Sequence, residues 1–142
     1  MNRRLSLLVP ALAVLAVAPS VALAHGERSD LTESYTASAP VPNPSGCNGA
    51  LPNSQHLKSV TAKKAGMLHV EVSGFAGNWD AAVVDAAGKR LAAAGSPSAS
   101  PETMQVLVKA KQKFTIVTCN MAGTSTATVK YGVLDPKAHG DH

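Results

Sequence analysis

From residue 55 onward, apolar and polar residues alternate along the chain in short runs that Gly, Pro, Asn and Lys separate. The clearest run covers residues 67–73, in which every second position is a large aliphatic residue. A period of two predicts a β-strand with one face in the core and the other in solvent. The predicted core face carries Leu68, Val70 and Val72, and the predicted solvent face carries His69, Glu71 and Ser73.

The same pattern predicts a set of short strands, with no helical periodicity outside the first two dozen residues. Leu57 and Val60 are expected to face inward, and Trp79 is expected to lie in the core, with an exposed sugar-stacking position as its alternative. Short strands with frequent turns indicate an all-β protein, an antiparallel β-sandwich of about seven to eight strands. The predicted strands are residues 55–62, 67–73, 79–85, 89–94, 102–108, 113–119 and 125–134.

Two turns between these strands have characteristic residues. Asp85-Ala86-Ala87-Gly88 predicts a hairpin turn, in which Gly88 supplies a left-handed backbone position. Asn120-Met121-Ala122-Gly123 predicts a second turn, which would end the strand at residues 113–119.

The first 24 residues have the pattern of a secretory signal peptide. A short basic region at Arg3 and Arg4 precedes an apolar run, and Ala22-Leu23-Ala24 offers a small-x-small cleavage site. A membrane anchor is the alternative, but the run is shorter than the roughly 20 apolar residues of a spanning helix and contains Pro10. Cleavage would leave no transmembrane segment. We therefore expect a secreted protein, extracellular or in the cell envelope, that begins at His25.

Residues 25–46 and 136–142 flank the predicted sandwich, which we expect to span residues 47–135. The first segment is rich in Ser, Thr and Pro, and its alternating Pro40, Pro42 and Pro44 predict an extended lead-in with little order before Cys47. The second segment is a short polar tail.

The chain has two cysteines, Cys47 and Cys119. An even number of cysteines in an exported protein favours a disulfide bond. Metal binding by the thiols is the alternative, but no C-x-x-C spacing supports it. The low aromatic content of 4% leaves a core of aliphatic side chains, which makes such a bond more important for stability.

The charge of the chain argues against a nucleic-acid partner. The formal net charge of +4 falls to +2 when Arg3 and Arg4 leave with the signal peptide. No aromatic residues are interleaved with the lysines, as in proteins that bind single strands. Lys109, Lys111 and Lys113, at a spacing of two, would either contact an anionic surface or lie on a solvated hairpin.

The chain from residue 55 to 134 resembles the bacterial pre-peptidase C-terminal (PPC) domain family. Four segments have the spacing of that family: residues 68–74, Gly77-Asn78-Trp79-Asp80, Asp85-Ala86-Ala87-Gly88-Lys89 and residues 113–117. The resemblance implies a jelly-roll-like β-sandwich with an accessory role in binding a substrate or surface, in secretion or in stabilisation. Members usually follow a catalytic domain, and none is evident here.

The resemblance also implies that calcium is a possible cofactor. Some members bind it through aspartates near the Gly77–Asp80 segment, which nominates Asn78, Asp80 and Asp85 here. Calcium prefers 6–8 oxygen ligands with several carboxylates, and Asn78 stands where the family often has Asp. The structural alternative is that Asp80 accepts backbone hydrogen bonds and Asp85 caps its turn.

A copper site is a second metal hypothesis. A mature N-terminal His25 followed by Gly26 resembles the start of secreted copper proteins such as lytic polysaccharide monooxygenases, and imidazole with an amine suits Cu(II). Such a site needs a second histidine, from His56, His69 or the tail. His25 lies in the predicted irregular lead-in, which is unfavourable because a metal site needs rigid elements to support it.

No catalytic residues are predicted, because no serine lies in a nucleophile motif and both cysteines are expected to be oxidised. The sequence therefore favours a secreted non-catalytic module for interaction with a surface, a protein or a glycan. The alternative is a metal-binding secreted protein, with calcium at Asn78 and Asp80 or copper at His25.

Overall fold

The protein is an antiparallel β-sandwich of eight strands, which confirms the predicted fold class. A computed structural model describes residues 31–49, 51–96 and 101–135. The signal peptide, His25 and the polar tail of the sequence analysis lie outside these ranges. The strands are β1 (Glu33–Ser38), β2 (Gln55–Thr61), β3 (Gly66–Ser73), β4 (Gly77–Asp85), β5 (Arg90–Ala94), β6 (Glu102–Val108), β7 (Lys113–Gly123) and β8 (Thr126–Leu134).

The strands form two four-stranded sheets with a jelly-roll order. The first sheet has the order β1-β8-β3-β6 and the second has the order β2-β7-β4-β5. Most strands that are consecutive in sequence lie in opposite sheets, and β4 and β5 form a hairpin within one sheet. This arrangement, which the sequence predicted as jelly-roll-like, buries the alternating apolar face of each strand between the sheets.

The core lies between the sheets and is mainly aliphatic. Leu68, Val70 and Val72 of β3 are buried there as predicted. Trp79 is fully buried in the same cluster, so its position in the core is confirmed. His69, which was predicted to face solvent, is on the opposite face of β3 from the core residues but is only 8% exposed. His69 is therefore on the predicted face but does not contact solvent as expected, because β3 lies in the middle of its sheet, between β8 and β6.

The hairpin between β4 and β5 has the predicted turn. The Gly88 amide donates to the Asp85 carbonyl at 3.0 Å, and Gly88 has a left-handed φ of 80°. The Asp85 carboxylate accepts the amides of Ala87 and Lys89 at 2.9 and 2.8 Å. Asp85 therefore caps its own turn, which is the structural alternative that the sequence analysis considered.

The sandwich begins earlier than residue 47, because the predicted lead-in contains β1. This strand pairs with β8 from Glu33↔Tyr131 to Ser38↔Thr126. Its inward positions include Tyr35, Ala37 and Ala39, of which the two alanines are fully buried. Alanine gives little contrast with Ser and Thr in a hydrophobic pattern, so the sequence showed no strand there.

Two further details of the predicted strands were wrong. β7 continues through residues 120–123, because β4 begins at Gly77 and pairs with that extension as far as Gly123. Leu57 is 63% exposed, because it pairs with Val117 on the outer face of the second sheet. Val60, on the other face of β2, packs against the core as expected.

The predicted disulfide between Cys47 and Cys119 is present, with the two Cα atoms 5.3 Å apart. It attaches a short 3-10 turn (Gly46–Asn48) to the outer face of the second sheet. Asn43 fixes the approach to this turn, since its amide donates to the Asn120 carbonyl and its side chain donates to the Gly49 carbonyl. The disulfide and this segment cover an outer cluster that contains Ala82 and Val117.

No helix long and apolar enough to cross a membrane occurs in residues 31–49, 51–96 and 101–135.

Candidate functional site

The predicted calcium residues are divided between two places on β4. Asn78 and Asp80 lie near the 3-10 turn, whereas Asp85 lies at the other end of the strand, about 16 Å from Asp80 at the usual strand rise. The Asn78 amide nitrogen donates to the Met121 sulfur at 3.4 Å, and Asp85 is engaged in its own turn. The described part of the chain therefore does not unite the three residues.

The side-chain oxygen atoms near Asp80 are too few to form a calcium site. Within the described ranges, no three His, Cys, Asp or Glu side chains cluster closely enough to hold a metal ion. Calcium needs 6–8 oxygen ligands, and Asn78 and Asp80 offer only two side chains. The Asn78 oxygen is buried without a hydrogen bond, but the described residues place no group of carboxylates around it.

Asp80 belongs instead to a polar cluster beneath the 3-10 turn. A side chain at Gly46 would collide with the Asp80 carboxylate, and one at Gly95 would come within 2.8 Å of it. Burial raises the pKa of Asp80, and the positive charge of Arg90 partly offsets this effect. Arg90 in turn donates to the Asn48 side chain at 2.8 Å, which ties β5 to the 3-10 turn.

Glu102 is a second acidic residue near this cluster. It is only 4% exposed, and its carboxylate accepts the Ser96 amide at 2.8 Å. Burial raises the pKa of Glu102, the Ser96 hydrogen bond lowers it, and the negative charge of Asp80 raises it further. Two acids that share one partly buried region destabilise each other when both are ionised.

We expect the double variant Asp80→Asn/Glu102→Gln to flatten the dependence of stability on pH. Both folded-state pKa values lie above the ordinary values of 3.8 and 4.5, so the folded state binds protons more tightly than the unfolded state. The contribution of these two groups to stability should therefore be fully present below those ordinary values and be lost as the pH rises through the raised ones. Urea denaturation between about pH 4 and pH 7 measures this. If the free energy of unfolding changed with pH in the same way for wild type and variant, Asp80 and Glu102 would not be the source of this pH dependence.

A cleft lies elsewhere, where one end of β1 and β8 faces the end of β2. Its volume is about 320 Å³. The floor is apolar, with Val60, Phe114 and Val133, and Tyr131 lies beside them. Such a concave, mostly apolar surface with few polar groups is typical of a ligand site.

Charged side chains surround the mouth of this cleft. Lys63 and Lys64 lie on the β2 side, and Glu33 lies on the β1 side. The Lys63 ammonium is 3.8 Å from the Glu33 carboxylate, with side chains 91% and 53% exposed. An exposed pair of this kind contributes only about 0–1 kcal/mol, so a ligand can displace it at little cost.

The electrostatics of Tyr131 agree with this position. Burial raises the pKa of the Tyr131 hydroxyl, and the negative charge of Glu33 raises it further. The neutral hydroxyl of a tyrosine is both a donor and an acceptor of hydrogen bonds, so Tyr131 adds a polar group to the lining of the cleft.

Further along the same edge of the sandwich, aromatic side chains close the gap between the sheets. Tyr35 stacks on His56 with ring centroids 5.4 Å apart, and the Lys58 ammonium lies 5.7 Å from the centre of the Tyr35 ring. The His56 ring also accepts the Ser38 amide at 3.3 Å. Burial, and then the neighbouring Tyr131, raise the pKa of Tyr35. His56 thus has a structural role at this edge.

No pattern in the sequence indicated the cleft. Its walls come from Thr32 and Glu33, from the end of β2 and from the end of β8, which are far apart along the chain. Only the Lys63-Lys64 pair is visible in the sequence, and there it has the form of an ordinary solvated turn.

No family model matches the chain, and no curated protein is similar enough to it to indicate a relationship.

Proposed function

We propose that the protein is an exported, non-catalytic β-sandwich module that binds a protein or glycan partner at the cell surface or outside the cell. The cleft between β1, β2 and β8 is the observation that carries this proposal. It combines an apolar floor with an exposed, weakly held ion pair at its mouth. The resemblance to PPC domains supports the same kind of role.

Export is part of the proposal. The N-terminal pattern of the sequence favours a signal peptide, and the Cys47–Cys119 disulfide is compatible with an oxidising compartment. A disulfide of this kind is rare in the cytosol, where thiols are kept reduced.

The non-catalytic role rests on what the reactive groups do in the fold. Both cysteines are consumed by the disulfide. His56 is engaged by Tyr35 and by the Ser38 amide, and Asp85 by its own turn. None of these groups forms a pair of nucleophile and base, which covalent catalysis requires.

The variant Thr32→Trp is expected to weaken binding to the partner, because an indole at this exposed position would enter the cleft. The matched control is Thr36→Trp, which places the same side chain at an exposed position of β1 outside the cleft. Fluorescently labelled protein would be titrated onto intact cells of the exporting strain. We expect Thr32→Trp to bind at least about tenfold more weakly, a loss of about 1.4 kcal/mol, and Thr36→Trp to bind like wild type.

Equal binding by wild type and both variants would exclude the cleft as the binding site. Absence of binding by the wild type to cells and to their secreted material would contradict the proposed function as a whole.

A further inference from the structure

Five lysines meet at the end of the sandwich where the cleft opens. Lys63 and Lys64 lie in the turn between β2 and β3, and Lys109, Lys111 and Lys113 lie in and beside the turn between β6 and β7. All five are exposed. We call these five residues the lysine end.

Backbone hydrogen bonds join the two turns. The Ala62 amide donates to the Gln112 carbonyl at 2.9 Å, and the Lys111 amide donates to the Ala62 carbonyl at 2.8 Å. Lys113, the first residue of β7, pairs with Thr61, the last residue of β2. The two turns that carry the lysines are therefore held side by side at this end of the sandwich, and Lys63 and Lys64 line the cleft.

This concentration of charge is large for the protein. The formal net charge of the whole chain is only +4, whereas the lysine end alone carries five positive charges. Glu33 forms an ion pair with Lys63 of this group, and a second acid, Asp135, follows Leu134, which pairs with Met67 beside the first turn. A compact group of like charges raises the local concentration of anions and speeds their association.

Lys111 occupies a strained backbone position. Its φ of 65° lies in the left-handed region, which Gly and Asn adopt far more easily than Lys. The turn is fixed around it, because the Gln112 side chain accepts the Lys109 amide at 2.8 Å and the Gln112 amide donates to the Lys109 carbonyl at 3.1 Å. Glycine would fit this fixed turn with less strain, and the presence of lysine there is consistent with a role of its side chain.

The composition of the two turns distinguishes between kinds of anionic partner. Besides lysine the two turns contain only Ala62, Ala65, Ala110 and Gln112. The exposed Leu107, two residues before Lys109, is a single large apolar side chain beside them, which is little for insertion into a membrane. The two turns also lack Trp, Tyr and Arg, the usual anchors of protein interfaces, in which Lys and Ala are depleted. Exposed ammonium groups without such anchors suit an extended, hydrated polyanion, which contacts several of them at once.

We propose that the lysine end binds an acidic glycan, a polysaccharide with carboxylate groups along its length. This inference rests on the proposed function and names the partner of the same surface. The glycan lies across the two turns, so that its carboxylates contact the ammonium groups from Lys64 to Lys113 and a sugar reaches the mouth of the cleft.

The test is a binding titration of the full mature protein with polygalacturonate. Dextran serves as a neutral glycan, polyglutamate as an acidic peptide, and vesicles with anionic lipid as a membrane. We expect binding to polygalacturonate that is stronger than binding to the other three. It should weaken strongly between about 0.02 and 0.3 M salt, because the Debye length shortens over this range.

The variant Lys111→Gly separates binding from folding. It removes one charge and relieves the left-handed backbone, so its Tm should be unchanged or slightly higher than that of the wild type. Its affinity for polygalacturonate should fall about fivefold, as expected for one lysine near an anionic surface.

A pair of double variants tests the location. Lys64→Gln/Lys109→Gln removes two charges from the lysine end, and Lys58→Gln/Lys130→Gln removes two charges from the middle of β2 and β8. The first should weaken binding about 25-fold, whereas the second should change it about twofold or less. Equal effects of both pairs would overturn the assignment to this surface.

The other outcomes are equally decisive. Equal binding of polyglutamate or of anionic vesicles would overturn the choice of a glycan. Binding of the wild type to cells without binding to polygalacturonate would overturn this inference alone, whereas failure of both would also remove the proposed function.

Discussion

Replacement of both Cys47 and Cys119 by alanine is expected to lower the free energy of unfolding by about 4 kcal/mol. The bond joins residues 72 positions apart, and a loop of this length restricts the unfolded chain considerably. Because domains of this size are stable by only about 5–15 kcal/mol, the loss is a large fraction of the total. The measurement is a urea titration of the wild type and the double variant, followed by circular dichroism.

A second sample separates the cross-link from the packing of the sulfur atoms. The reduced wild type retains both sulfurs, of which that of Cys119 is completely buried. If the constraint on the unfolded chain dominates, reduction should cost nearly as much as the double substitution. A change below about 1 kcal/mol on reduction would contradict the proposed contribution of the long loop.

The native arrangement around the 3-10 turn should largely survive this loss. Asn43 still anchors the segment through its hydrogen bonds to Asn120 and Gly49, and Arg90 still holds Asn48. We therefore expect the disulfide-free protein to fold to the same structure with a lower midpoint of denaturation.

The variant Trp79→Ala is expected to cost about 3–5 kcal/mol of stability. Trp79 is completely buried between the sheets, and its ring lies 6.3 Å from that of Phe75. Its indole nitrogen donates to the Thr124 carbonyl at 3.0 Å, which fixes the end of β7 against β4. The substitution leaves a cavity and an unpaired carbonyl.

Trp79→Phe is the matched control. It keeps an aromatic ring in the core but removes the donor to Thr124, so it should cost about 1–3 kcal/mol. Unfolding must be followed by circular dichroism, because Trp79 is the single tryptophan of the chain. Equal stabilities of Trp79→Ala and the wild type would show that the ring does not hold the two sheets together.

Most of the strands were predictable because their core face is apolar and their other face carries polar residues. In β3, for example, Leu68, Val70 and Val72 alternate with polar residues, and the structure buries all three. The turn at Asp85 was predictable for a local reason, since its carboxylate bonds to amides two and four residues ahead. These features are determined by residues that are only a few positions apart along the chain, so a local pattern reveals them.

The wrong predictions concern positions whose burial or pairing depends on residues far away along the chain. Leu57 was predicted to face inward, but the face of β2 towards the other sheet carries His56, which stacks on Tyr35, and Val60, which packs against the core. The register of β2 on β7 therefore outweighs the hydrophobicity of a single leucine. β1 was missed because its buried residues are mostly alanines, which have little influence on a hydrophobic pattern.

The candidate site is entirely a product of such distant contacts. The cleft needs the N-terminal end of β1 beside the C-terminal ends of β2 and β8. The lysine end needs Ala62 to bond to a turn almost fifty residues later. No local pattern contains this information, so the sequence alone offered lysines in two unrelated turns.

The pairing of β1 with β8 has a consequence for biosynthesis. β1 lies at the edge of its sheet, and its one neighbour there is β8, the last of the strands in the described residues. At about 5–20 residues per second, β8 is synthesised at least several seconds after β1. Pairing over such sequence distances is also intrinsically slow. The first sheet of the nascent chain therefore stays incomplete until β8 has been synthesised, and β1 remains without its partner during that time.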